Sequence, residues 1–147
     1  MIGARQTDVT QAQDAVIADM QTATVELRAV LDAEREALDR HDSIALDAAT
    51  SAKAQLLQRL ESLDAERRQL EQLAPARAPS ATWTQICLQL GACRRINEIN
   101  GSIVTQQLAF VRRALGVLRG SGEGPPALYG PAGHAQTSAF PRPLSQA

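Results

Sequence analysis

Ile96-Asn97-Glu98-Ile99-Asn100-Gly101-Ser102-Ile103-Val104 opens a stretch that runs on through Leu108, Phe110, Val111, Leu115 and Val117 to Leu118. Two apolar rows stand side by side in it at helical spacing. One is Ile96, Ile99, Ile103, Phe110 and Val117; the other is Val104, Leu108, Val111, Leu115 and Leu118. Together they are wider than the a/d seam of a two-stranded coiled coil. A helix so broadly apolar needs more than one neighbour to cover it, which predicts the central helix of a small bundle.

The neighbours are legible upstream. Thr10-Gln11-Ala12-Gln13 has the form of a capping box and predicts a helix start. From there Val16, Ile17, Met20, Ala23, Leu27, Val30, Leu31 and Leu38 recur at three- and four-residue steps with no Gly or Pro among them. Arg40-His41-Asp42-Ser43 interrupts the pattern, and Asp42 is placed to cap a second helix carrying Leu46, Ala49, Leu56, Leu57, Leu60, Leu63, Leu70 and Leu73. So short a break predicts an antiparallel hairpin. Folding the pattern about residue 42 brings Glu34, where the stripe would have a Leu, within about a turn of Lys53. We therefore expect an ion pair there that fixes register, with His41 a solvated turn residue.

Ala74-Pro75-Ala76-Arg77-Ala78-Pro79-Ser80 reads as a linker, because each Pro excludes helix from the residue before it. A second capping box, Thr82-Trp83-Thr84-Gln85, then predicts a short helix that ends at Gly91, with Trp83 as a bundle anchor. The expected organisation is all-α. A helical domain covers residues 1–119, with a hairpin at 10–73, a linker at 74–80, a short helix at 83–90 and a long helix at 93–119. Residues 120–147 hold five of the nine Gly and five of the seven Pro, with only Glu123 and Arg142 charged. Such a segment buries too little apolar surface to offset its ordering entropy and is expected to be a disordered tail. Its one apolar-aromatic island, Leu128-Tyr129-Gly130, is either a fold-back contact or a short docking motif.

Composition narrows the functional classes. Lys and Arg number 15 against 16 Asp and Glu, so no global basic field exists to attract nucleic acid or anionic lipid. Trp83, Phe110, Tyr129 and Phe140 are the only aromatic residues, so the core of the first half is aliphatic. Residues 1–11 carry Arg5 and Asp8 and no apolar h-region, and no run of about 18 apolar residues occurs, so neither a signal peptide nor a membrane span is expected. Cys87 and Cys93 lie off the CxxC spacing with no nearby His, which predicts two reduced, packed thiols in a cytoplasmic protein, and no metal. His41 and His134 are the only histidines, and neither lies on an element able to fix it beside a nucleophile. The GxxxxGK[ST], GxGxxG and HExxH patterns are missing. The expectation is a protein that is not an enzyme and carries no cofactor.

The order of these features resembles the FlgN-type flagellar export chaperones. Leu31, Glu34, Ala37-Leu38, Leu46, Lys53, Leu56-Leu57, Leu60 and Arg67 carry the likeness in the hairpin. Asn97, Asn100-Gly101, Ile103, Leu108 and Leu115 through Leu118-Arg119-Gly120 carry it in the next helix, and Leu128-Tyr129-Gly130-Pro131 with Gly133 in the tail. The likeness spans about residues 16–133, leaving out the Pro-rich linker and the last dozen residues. It implies a cytoplasmic chaperone of the flagellar type III secretion system. Members of the family bind C-terminal helical segments of hook-filament junction proteins, prevent their premature assembly and deliver them to the export gate. It also implies that Tyr129, with Leu128, docks on the cytoplasmic domain of the membrane export-gate protein. A helix-in-groove contact suits such a cargo, and the broad face offers Ile103, Leu108, Phe110 and Val111 for it. The competing reading is a structural or adaptor protein that self-associates through the same face.

Overall fold

Three α-helices make up nearly all of the computed structural model, which describes residues 2–73 and 78–120, with side chains from residue 7 onward. They are α1 (Ile2–Arg40), α2 (Ser43–Leu73) and α3 (Ala81–Leu118), and no strand occurs among the described residues. The expected all-α bundle is what forms. Two residues join α1 to α2. Asp42 accepts the amide of Ala45 on its carboxylate at 3.0 Å and so caps α2 as the sequence predicts. At the end of α1 the amide of His41 reaches the Leu38 carbonyl, and that of Asp42 the Ala37 carbonyl. This is a Schellman closure, with His41 left-handed at φ 55° in the place usually held by Gly.

Interhelical bonds give the directions. Gln13 meets Leu70, Glu26 meets Arg59 and Glu34 meets Lys53, so α2 returns antiparallel along α1. Leu31 bonds Asn100 and Leu38 bonds Gln107, so α3 runs parallel to α1 as far as Gln107. The core between them is aliphatic, as the composition requires. Ala23, Leu27, Leu31, Leu60 and Cys93 form one buried cluster, while Val16, Met20 and Ile86 form a second with Trp83 at its edge.

Three local expectations are corrected. Helix α1 begins at Ile2, not at the Thr10 pattern, because no Pro stands before it and a cap-like sequence inside a helix does not stop one. Ser80, not Thr82, caps α3: its hydroxyl accepts the Trp83 amide at 3.1 Å, two residues before the predicted box. The break at Gly91 does not occur, and α3 runs through it unbroken. A glycine inside a helix costs only about 1 kcal/mol, which the flanking Ile86, Leu90 and Cys93 contacts offset.

The chain divides into two units, Met1–Gln107 and Leu108–Ala147. The first holds all the packing above. The described part of the second is the end of α3 with its stop, where Gly120 adopts φ 70° and its amide bonds the Val117 carbonyl. Among the described residues no helix is long and apolar enough to cross a membrane. The expected linker residues 74–77 and the expected disordered tail from residue 121 lie outside the described residues.

Candidate partner-binding surface

A polar layer crosses the first unit where an all-aliphatic core would be expected. Glu34 is 4% exposed and Asn100 1%. The Lys53 ammonium donates to Glu34 Oε1 at 2.6 Å and to Asn97 Oδ1 at 3.1 Å. Asn100 Nδ2 donates to Glu34 Oε2 at 2.9 Å and to the Leu31 carbonyl at 3.0 Å, while Asn100 Oδ1 accepts from Arg35 Nε at 2.8 Å. Both carboxylate oxygens and the whole Asn100 amide are thus engaged, as burial of such groups demands. The predicted Glu34–Lys53 pair forms, and the layer extends it to α3. What the sequence reading missed is Asn100 as a buried residue. The signal was its place in the row Ile86, Cys93, Asn100, Gln107, seven residues apart along one face.

Nearer the open end of the hairpin, Arg67 lies 4.2 Å above the Trp83 ring and pairs with Asp64 and Glu71. Burial pulls its guanidinium down, but the two carboxylates outweigh that and hold it above its ordinary value. Trp83 is thereby an anchor between α2 and α3. An open groove of about 220 Å³ runs beside the polar layer, lined by Leu27, Leu57, Leu90 and Cys93 with Lys53 and Asn97 at its rim. The two thiols are free, as expected, but only Cys93 is packed. Six residues turn a helix through about 240° beyond a full circle, so Cys87 faces out where Cys93 faces in. Burial pushes the Cys93 thiol up, and Arg28 only partly opposes this. No group of three metal-ligating side chains occurs among the described residues.

The second unit has a different character. None of its described residues, Leu108–Gly120, is buried. Phe110 is 72% exposed, Val117 73% and Leu118 82%, with Leu108, Val111 and Leu115 each about half exposed. Of the residues predicted for cargo, Leu108, Phe110 and Val111 therefore lie on an exposed apolar face, whereas Ile103 belongs to the first unit and is half-buried. Leu128 and Tyr129 lie outside the described residues. The apolar residues recur at seven-residue intervals, Leu108 with Leu115, Phe110 with Val117 and Val111 with Leu118, so each pair lines up along the helix, and the three rows together spread over about 160° of its circumference. Exposed apolar residues grouped in this way are a general mark of interaction surfaces.

No curated protein and no solved structure matches the chain. The sequence profile of the family described as FlgN protein matches residues 10–137, which takes in the hairpin, the polar layer and the exposed face. With that match over most of its length, the chain belongs to the FlgN family of flagellar export chaperones.

Proposed function

We propose that this protein is a cytoplasmic, non-enzymatic chaperone that holds the C-terminal helical segments of hook-filament junction proteins on the face formed by Leu108, Phe110 and Val111. It keeps those subunits from assembling early and delivers them to the flagellar export gate. The observation that carries the reading is the row of exposed apolar side chains on the end of a helix whose earlier part buries Ile86, Cys93 and Asn100 and is hydrogen-bonded to α1. An unassembled junction protein presents an amphipathic, aggregation-prone terminus, and an open helix face covers it without any energy source. Titrating a purified junction protein by calorimetry tests this. Phe110→Ala is expected to weaken binding about 30-fold, near 2 kcal/mol, with the melting temperature unchanged. Undiminished binding by Phe110→Ala and Leu108→Ala together would overturn the assignment.

Leu128 and Tyr129 are proposed to serve the second step, docking on the cytoplasmic domain of the export-gate protein. The family resemblance supports this, as does the distance of about ten residues from the end of α3, which lets the motif engage a second partner while cargo is held. Tyr129→Ala should leave cargo affinity and melting temperature in place while weakening gate binding and slowing secretion. A fall in melting temperature with gate binding intact would make Tyr129 a structural contact instead.

A further inference from the structure

Between Glu98 and Glu123 the chain contains no carboxylate side chain, yet Arg112, Arg113 and Arg119 all lie in that interval. Among the described residues none of these three guanidiniums pairs with an acid, although most other arginines of the helices do. Arg112 and Arg119 are seven residues apart, four beyond Leu108 and Leu115 respectively, so they form one basic row along one flank of the apolar face. The opposite flank, Phe110 and Val117, has one arginine beside it, Arg113, three residues after Phe110 and four before Val117, so the basic row of two lies on the Leu108 and Leu115 side. In coiled-coil terms Leu108 and Leu115 take the a positions, Val111 and Leu118 the d positions, and the two arginines the e positions. There, charge chooses the partner and its orientation.

Building on the chaperone reading above, we propose that the helix accepted on this face carries a row of Asp or Glu at seven-residue spacing along one flank. Those carboxylates pair with Arg112 and Arg119. Two other occupants fit less well. A second copy of the same face brings no carboxylate, and packed antiparallel it sets arginine against arginine. An anionic membrane surface suits a helix with a strongly polar face, whereas the face opposite the apolar row here includes Ala109 and Gly116 and only one arginine, Arg113.

The test is calorimetric titration of a full-length hook-filament junction protein from the same bacterium into the intact chain at low and high salt. Arg112→Gln/Arg119→Gln, Arg112→Lys/Arg119→Lys and Leu115→Ser variants are titrated beside it. The parent affinity should fall with salt. The Gln pair should bind about fivefold more weakly at low salt and lose the salt dependence, while the Lys pair should keep both. Leu115→Ser should weaken binding at every salt concentration. Unchanged, salt-independent affinity in the Gln pair, with Leu115→Ser still impaired, overturns the charge pairing and leaves the cargo face standing. If Leu115→Ser also binds normally, the cargo face itself fails. Cosedimentation with phosphatidylglycerol vesicles and light scattering complete the comparison: loss of vesicle binding or of self-association in the Gln pair, with junction-protein binding intact, assigns the row to a membrane or to a second copy and overturns the proposal.

Discussion

Asn100 joins one carbonyl and one carboxylate of α1 to α3. Asn100→Ala leaves the Leu31 carbonyl and one Glu34 oxygen buried without that donor, and is expected to cost about 2 kcal/mol in urea unfolding. Lys53→Met, which strands the Glu34 carboxylate, should cost a similar amount, about 2–3 kcal/mol. The double variant Glu34→Gln/Lys53→Met should recover much of that loss, since a neutral side chain is cheaper to bury than an unpaired charge. Glu34 and Lys53 were legible in the sequence because each is a charge on an apolar stripe. Asn100 was not, because an amide among Ile96, Ile99 and Ile103 reads, like Asn97, as an outward residue until the third helix is laid against the first. The thiols separate in the same way. Native protein should react with a maleimide at Cys87 alone, and at both cysteines in denaturant. The raised Cys93 thiol makes its contribution complete below the ordinary thiol range. That contribution is lost as pH climbs from about 8.5 toward the folded-state value, so Cys93→Ala should show a shallower alkaline loss of stability.

The helices were read well where a side chain marks their ends and poorly where it does not. Asp42 both looks like a cap and is one. Gly91 looks like a stop and is not, because helix ends are decided by whether a neighbour continues to cover the face. A methyl group at Gly91 or Gly101 would meet no atom within 4 Å. Gly91→Ala and Gly101→Ala should therefore each stabilise the fold by about 0.5–1 kcal/mol, seen as a shift in denaturation midpoint. His41→Gly should also stabilise, by about 1 kcal/mol, by relieving a left-handed backbone that a side chain resists. A destabilised His41→Gly would mean that the imidazole makes a compensating contact in the native turn.

Taken whole, the chain spends its apolar side chains in two ways. Up to Gln107 the stripes of α1, α2 and α3 close on one another, so the fold class, the hairpin and the aliphatic core followed from periodicity. From Leu108 to Leu118 the same periodicity continues without burial, and spacing alone could not separate a core row from an open one. Which half of the opening stretch was surface required the structure. Amide hydrogen exchange provides the check: peptides from 108–118 should exchange faster than those from 86–104 in the free protein. Adding a junction protein should slow exchange in 108–118 while leaving α1 and α2 nearly unchanged. Equal protection in the free protein would mean that the exposed row is covered in solution.

The two-residue turn at His41-Asp42 also has a consequence in time. The Glu34–Lys53 bond closes a loop of 19 residues, whereas the Asn100–Leu31 bond must bring together positions 69 apart. Loop closure favours the shorter path, so the hairpin should be the nucleus and docking of α3 the later event. Stopped-flow traces would then divide the variants by kinetic limb: His41→Gly should speed refolding, and Asn100→Ala should mainly speed unfolding. During synthesis α1 and α2 could already be paired before Asn100 leaves the ribosome, so the third helix would meet a preformed surface.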